Sequence, residues 1–163
     1  MQLKNLEKIS DKKYCALIKQ YVEKIEDIFK ENLLGVLLFG SVAKGKAKPI
    51  SWAESDVDII FLVEGLPSLQ KRIIEIPKLI VYHNLPSLVQ GIYMSPKEFE
   101  DNLKSKNGWV VEALADGIIL YDPHHLLSEL RKKLLKELSE KGVERTSYGW
   151  IWPIKLKSSK RKI

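Results

Sequence analysis

Two apolar runs, Leu33 to Phe39 and Val57 to Val63, with a segment rich in Gly, Lys, Ser and Pro between them, restrict this chain more than any other feature. Each run is too short for a helix, carries β-branched residues and is closed by a change of composition, so each reads as a buried strand. Strands apolar on both faces must be covered on at least one of them by helices. The first run stops at Gly40, and Asp56 and Asp58 stand at the entrance of the second. The intervening segment, 41–55, is expected to be a loop with one helical turn capped by Ser41.

The rest of the chain supplies the cover. Tyr14, Leu17, Ile18, Tyr21, Val22, Ile25, Ile28 and Phe29 recur at three- and four-residue steps and predict an amphipathic helix over 11–32. Gly65 to Ser68 turns the chain into a further helix, which Pro77 is expected to kink or end. Leu88 to Met94 reads as a third strand, and Ser95-Pro96-Lys97-Glu98 has the form of a capping box with proline at the first helical position. Trp109 to Ala115 gives another helical stretch, stopped near Gly117, and Ile118 to Tyr121 a fourth strand ended by Asp122-Pro123. The last helix, 125–141, carries Leu127, Leu130, Leu134 and Leu138 on one face and stops at Gly142; that face is either core or a partner surface. The expected class is α/β (α+β): a short mixed sheet of about four strands with helices packed on it. One domain over 1–145, with its core at 33–122, is followed by a basic, Trp-containing tail at 146–163.

A chain of 163 residues with 45% apolar content suits a single domain. Its 27 basic and 21 acidic side chains leave +6, and much of the surplus lies after Glu144, in Lys155, Lys157, Lys160, Arg161 and Lys162. Those residues form either a solvated end or a contact to nucleic acid, with Trp150 and Trp152 as base-stacking partners or as anchors of a terminal strand. The lone Cys15 excludes a disulfide framework and a cysteine-rich zinc module. His83, His124 and His125 lack metal-ligand spacing. With no apolar signal core and no run near membrane-spanning length, the expectation is a cytoplasmic protein without a membrane anchor.

The chemistry concentrates in LLFGSVAKGKAKPISWAESDVDIIFLV. A glycine after a strand permits a tight turn, and the backbone N–H groups of a starting helical turn form an anion site, to which Ser41 adds a hydroxyl. Asp56 and Asp58, two residues apart at a strand entrance, are expected on one face of the sheet. Hard carboxylate oxygens without a nearby histidine or thiolate favour Mg²⁺ or Mn²⁺, and magnesium characteristically uses one or two carboxylates plus the phosphates of its substrate. Lys44, Lys46 and Lys48 are either phosphate-neutralising or solvated loop lysines.

Gly40-Ser41, Gly45 and Asp56-Val57-Asp58, flanked by Ser55 and an apolar run, resemble the nucleotidyltransferase superfamily of DNA polymerase β, especially its small prokaryotic minimal members. Trp150, Trp152 and Lys155 are similar to residues of small archaeal members. The resemblance is strong over Leu33 to Val63 and looser to Tyr121. It implies a mixed sheet holding the acidic pair as catalytic and metal-binding residues beside a phosphate-gripping turn of Gly40, Ser41, Lys44 and Gly45. It further implies a nucleoside triphosphate substrate, with ATP as donor of AMP to a hydroxyl and pyrophosphate released, and a second, helical protein as partner.

Active members of that superfamily usually add a third carboxylate from a later strand, and here Gln90 stands at the corresponding position. An amide cannot act as a carboxylate base near neutral pH. Either Glu54 or the substrate fills that role, or the chain is a nucleotide-binding, weakly active or inactive regulatory subunit of the antitoxin type.

Overall fold

The structure is a computed structural model and describes residues 2–52 and 56–153. Helix α1 (Lys12–Phe29) is started by Asp11, whose carboxylate accepts from Lys13 N and Tyr14 N, and it ends in a 3-10 turn, Lys30–Asn32. Strand β1 (Leu33–Phe39) leads straight into a single helical turn, α2 (Gly40–Ala43). Phe39 occupies the N-cap position and no side chain caps the turn, so Ser41 lies inside it and is not its cap. Strand β2 (Val57–Val63) follows, then α3 (Leu69–Tyr82), capped by Ser68. Pro77 does not end α3. Ile73, whose carbonyl loses its helical donor at Pro77, is 74% exposed, so water can take the donor's place.

Strand β3 (Val89–Met94) is followed by α4 (Pro96–Lys104), where Ser95 Oγ accepts from Glu98 N and the Glu98 carboxylate accepts from Ser95 N, as a capping box requires. The sequence places a helix start at Ser95 and a further helical stretch at Trp109 to Ala115 without marking the break between them. The chain makes two helices there, α4 and α5 (Gly108–Asp116), because Lys106 takes a left-handed conformation and breaks the path. Strand β4 (Ile118–Tyr121) then leads to α6 (Leu126–Glu140). His125 stands at the N-cap position of α6 without a side-chain bond to the helix, and the buried Asp122 carboxylate supplies the cap instead, accepting from Leu127 N at 2.9 Å, Ser128 N at 2.9 Å and Ser128 Oγ at 2.8 Å.

The four strands form one mixed sheet in the order β3-β2-β1-β4, with β1 antiparallel to both β2 and β4 and β2 parallel to β3. Alternation divides the core into two layers. Val36, Leu38, Ile59 and Phe61 pack with Tyr14, Ile18, Tyr21 and Ile25 of α1, while Leu37, Ile60 and Leu62 pack with Phe99, Val110, Leu114, Leu127 and Leu134 of α4, α5 and α6. The leucine face of α6 is therefore core: Leu127, Leu134 and Leu138 are buried and Leu130 packs against them. The large apolar residues left exposed on a helix lie mainly on α3, at Leu69, Ile73, Ile74, Val81 and Tyr82.

Residues 144–151 form a hairpin of β5 (Glu144–Thr146) and β6 (Gly149–Ile151), so the boundary read at 145 falls inside a strand. Trp150 Nε1 donates to the Asp116 carboxylate at 3.1 Å and Arg145 Nε donates to the same group at 3.0 Å, which fastens the hairpin to the end of α5. Trp150 is an anchor in this arrangement, while the tail lysines and Arg161 lie outside the described residues. Among the described residues, no helix is long and apolar enough to cross a membrane.

Candidate active site

The site forms where β1 ends and β2 begins, because antiparallel pairing brings those two strand ends together. Phe39 pairs with Asp58, so the turn that follows Phe39 lies against the Asp58 side chain. Gly40 has φ +77°, and a Cβ there would sit well inside contact with Asp58 Oδ2 and 3.3 Å from Asp58 Cγ. Only glycine satisfies both the left-handed conformation and the close approach. The sequence places Gly40 and Asp58 in one site through a motif; the fold places them in direct contact.

Asp56 and Asp58 are not equivalent. Asp58 is the second residue of β2, half-buried, and shares the sheet face of Ile60 and Leu62. Asp56 precedes the strand and is exposed, so strand alternation does not fix its direction. The two are nonetheless electrostatically coupled. Burial pushes the Asp58 carboxyl above the usual carboxylate range, and the negative charge of Asp56 pushes it the same way. Among the described residues no hydrogen-bond donor or cation lies on either carboxylate. A partly desolvated, unpaired carboxylate beside a second one suits a bound divalent cation, which would relieve both penalties at once.

Gln90 in β3 stands level with Asp58 in the parallel β2–β3 register and is exposed. Glu54, the other candidate acid, lies outside the described residues, as does Ser55. Among the described residues there is no cluster of three acidic, histidine or cysteine side chains able to hold a metal. Two hard carboxylates still fit Mg²⁺ or Mn²⁺, which typically complete their shells with water and substrate phosphate.

The turn after Phe39 presents its first N–H groups without a capping side chain, and Ser41 and Gly45 both belong to it: Lys46 N donates to Ser41 O and Gly45 N to Val42 O. Lys44 is engaged, its Nζ 2.9 Å from Glu112 Oε1 on α5. Lys48 Nζ lies 5.8 Å from the centre of the Trp52 ring.

Sequence reasoning missed the contribution of α5. A cleft of about 190 Å³ opens between the turn and α5, lined by Phe39, Gly40, Lys44, Trp109, Glu112 and Asp116 among others. Nothing in local spacing links Trp109 or Glu112 to Gly40. Their approach depends on β4 pairing with β1 and on Arg131 of α6, whose guanidinium bonds the carbonyls of Leu114 and Gly117 and holds the end of α5.

The family described as Polymerase beta, Nucleotidyltransferase matches residues 23–125. Two proteins of Methanocaldococcus jannaschii are similar in sequence. "Putative protein adenylyltransferase MJ0141" is 34% identical over 89 residues, 55% of this chain and 82% of that protein. "Putative protein adenylyltransferase MJ1305" is 30% identical over 118 residues, 70% of this chain and 76% of that protein. Among solved structures, a chain of a toxin–antitoxin complex crystallised with AMP-PNP superposes with TM-score 0.48 at 18% identity, over 75% of this chain and 87% of that one. A chain of the MntA-HepT toxin–antitoxin superposes with TM-score 0.44 at 16% identity, over 77% and 87% respectively. The match to more than half of the chain, together with two relatives covered over most of their length, establishes that this protein belongs to the polymerase β-like nucleotidyltransferase family.

Proposed function

We propose that this protein is a Mg²⁺-dependent nucleotidyltransferase that moves AMP from ATP to a hydroxyl group, releasing pyrophosphate. The observation that carries this reading is the half-buried Asp58 carboxylate, which meets no hydrogen-bond donor among the described residues and lies directly against the Gly40 turn. The names of the two relatives support adenylyl as the transferred group and a protein as acceptor.

In this scheme Asp56 and Asp58 would hold Mg²⁺ or Mn²⁺, which supplies charge neutralisation for the triphosphate and lowers the pKa of the attacking hydroxyl. The N–H groups of Gly40 and Ser41 and the Ser41 hydroxyl receive phosphate oxygens, with Gly45 closing the turn. Lys44 exchanges Glu112 for a phosphate. The acceptor oxygen bonds to the α-phosphorus as the bond to the bridging oxygen of pyrophosphate breaks, and the hydroxyl proton departs. Gln90 cannot take that proton, so the base comes from Glu54 or from the acceptor.

A second reading is favoured by Gln90 itself, which occupies the place beside Asp58 where a third acid would complete the set. The chain would then bind Mg-nucleotide as a weakly active, antitoxin-type subunit. Either reading includes a partner protein, and the exposed apolar side of α3 offers it a surface. The nucleotide substrate and the single cysteine support a cytoplasmic setting.

Incubation with ATP labelled on its α-phosphate, Mg²⁺ and candidate protein acceptors should yield labelled protein and pyrophosphate. Neither product with any triphosphate or acceptor would remove the enzyme reading. Activity that appears only in Gln90→Glu would establish the second.

A further inference from the structure

Apart from Gly40 and Lys44, the lining of the cleft between the Gly40 turn and α5 is used by neither phosphate binding nor metal binding. Its wall is aromatic: Trp109 is 41% exposed although its ring packs 5.8 Å from that of Phe39, at 33°. Ala43 and Ala113 face the same space with side chains too small to fill it. Its polar edge is acidic. Glu112 Oε1 accepts from Lys44, and both Asp116 oxygens accept from Trp150 Nε1. A carboxylate offers about four acceptor positions, and among the described residues no donor occupies Glu112 Oε2. The cleft is contiguous with the reacting centre, since Gly40 lines it and also touches Asp58. It lies on the same face of the sheet as Asp58, where Phe39 packs into the layer of Ile60 and Leu62.

A flat apolar wall with an acceptor at its rim, one turn away from a phosphate site, suits a planar ring that carries an amino group on its edge. We infer that this cleft seats the nucleobase, with Trp109 stacking on the ring and Glu112 accepting from an exocyclic amino group, so that amino-bearing bases are preferred. The inference rests on the triphosphate reading above and adds to it the residues that choose the base. Entry of the triphosphate draws Lys44 away from Glu112 and frees a second acceptor, which couples phosphate binding to base reading.

The test measures affinities by calorimetry, in Mn²⁺, for ATP, ITP and inorganic tripolyphosphate. Trp109→Ala should weaken ATP about fivefold to a hundredfold, the range expected for loss of one aromatic stack, and leave tripolyphosphate unchanged. Unchanged tripolyphosphate affinity also shows that the variant is folded, and Trp109→Phe should restore much of the loss. The wild type should prefer ATP to ITP, which carries an oxygen where ATP has its amino group, and Glu112→Ala should abolish the preference. If Trp109→Ala leaves ATP affinity intact while tripolyphosphate still binds, the base seat is refuted and the phosphate reading stands. A preference for ATP that survives Glu112→Ala refutes the role of Glu112. If the wild type binds neither ATP nor tripolyphosphate, both readings fall together.

Discussion

Substituting Gly40 by alanine perturbs the site at its tightest point. Two costs arise. An L-residue held at φ +77° costs about 1–2 kcal/mol. The added methyl also collides with Asp58 Oδ2, and because the obstacle is the end of a side chain, the carboxylate can turn away at about 0.5–1.5 kcal/mol for an off-rotamer angle. Gly65 isolates the first cost: it has φ +73° and nothing within 4 Å of an added Cβ. Urea denaturation should therefore place Gly65→Ala about 1–2 kcal/mol below wild type and Gly40→Ala about 1 kcal/mol lower still. In an Asp58→Ala background the excess at Gly40 should vanish, since the collision partner is gone. Gly40→Ala should also lose affinity for Mn²⁺-ATP, whereas Gly65→Ala should keep it. An excess that persists without the Asp58 carboxylate, or no excess at all, would show that the turn and the acid are not in contact.

Asp58→Asn should stabilise the free protein, because the wild-type carboxyl has a folded-state pKa above its unfolded value and its ionisation opposes folding at neutral pH. That penalty disappears as pH falls through the raised pKa, so the gain in Tm should be largest near pH 7 and shrink on acidification; a gain that grows in acid would contradict the sign. Asp122→Ala should cost about 2 kcal/mol, from a lost cap and buried donors left unpaired, and lower Tm by several degrees. Ile73→Glu on the exposed side of α3 should change stability by less than about 0.5 kcal/mol while weakening capture of a partner protein in a pull-down; a large stability loss would mean that the residue is packed.

The strands were legible because their signals are local. Leu33–Phe39, Val57–Val63 and Ile118–Tyr121 begin and end where the apolar runs do, and the Ser95 capping box sits where its four residues place it. Elements whose form depends on distant groups were not. Pro77 stays inside α3 because the helix is exposed where a donor is missing, and the first turn of α6 is capped by the Asp122 carboxylate from the end of β4. The expectation that alternation sets Asp56 and Asp58 on one sheet face reaches only Asp58, because β2 begins at Val57. Trp109, Glu112 and Asp116 carry no mark in sequence, since they reach the Gly40 turn only after β4 has paired with β1.

Binding of Mn²⁺-ATP by calorimetry, in wild type and in Asp56→Asn and Asp58→Asn, bears most directly on the acidic pair as the seat of a metal-nucleotide complex. Saturable binding by the wild type should fall at least tenfold in each variant, with the larger loss at Asp58, which lies against the turn. Equal affinities in all three proteins would place the nucleotide elsewhere, whatever the family to which the chain belongs.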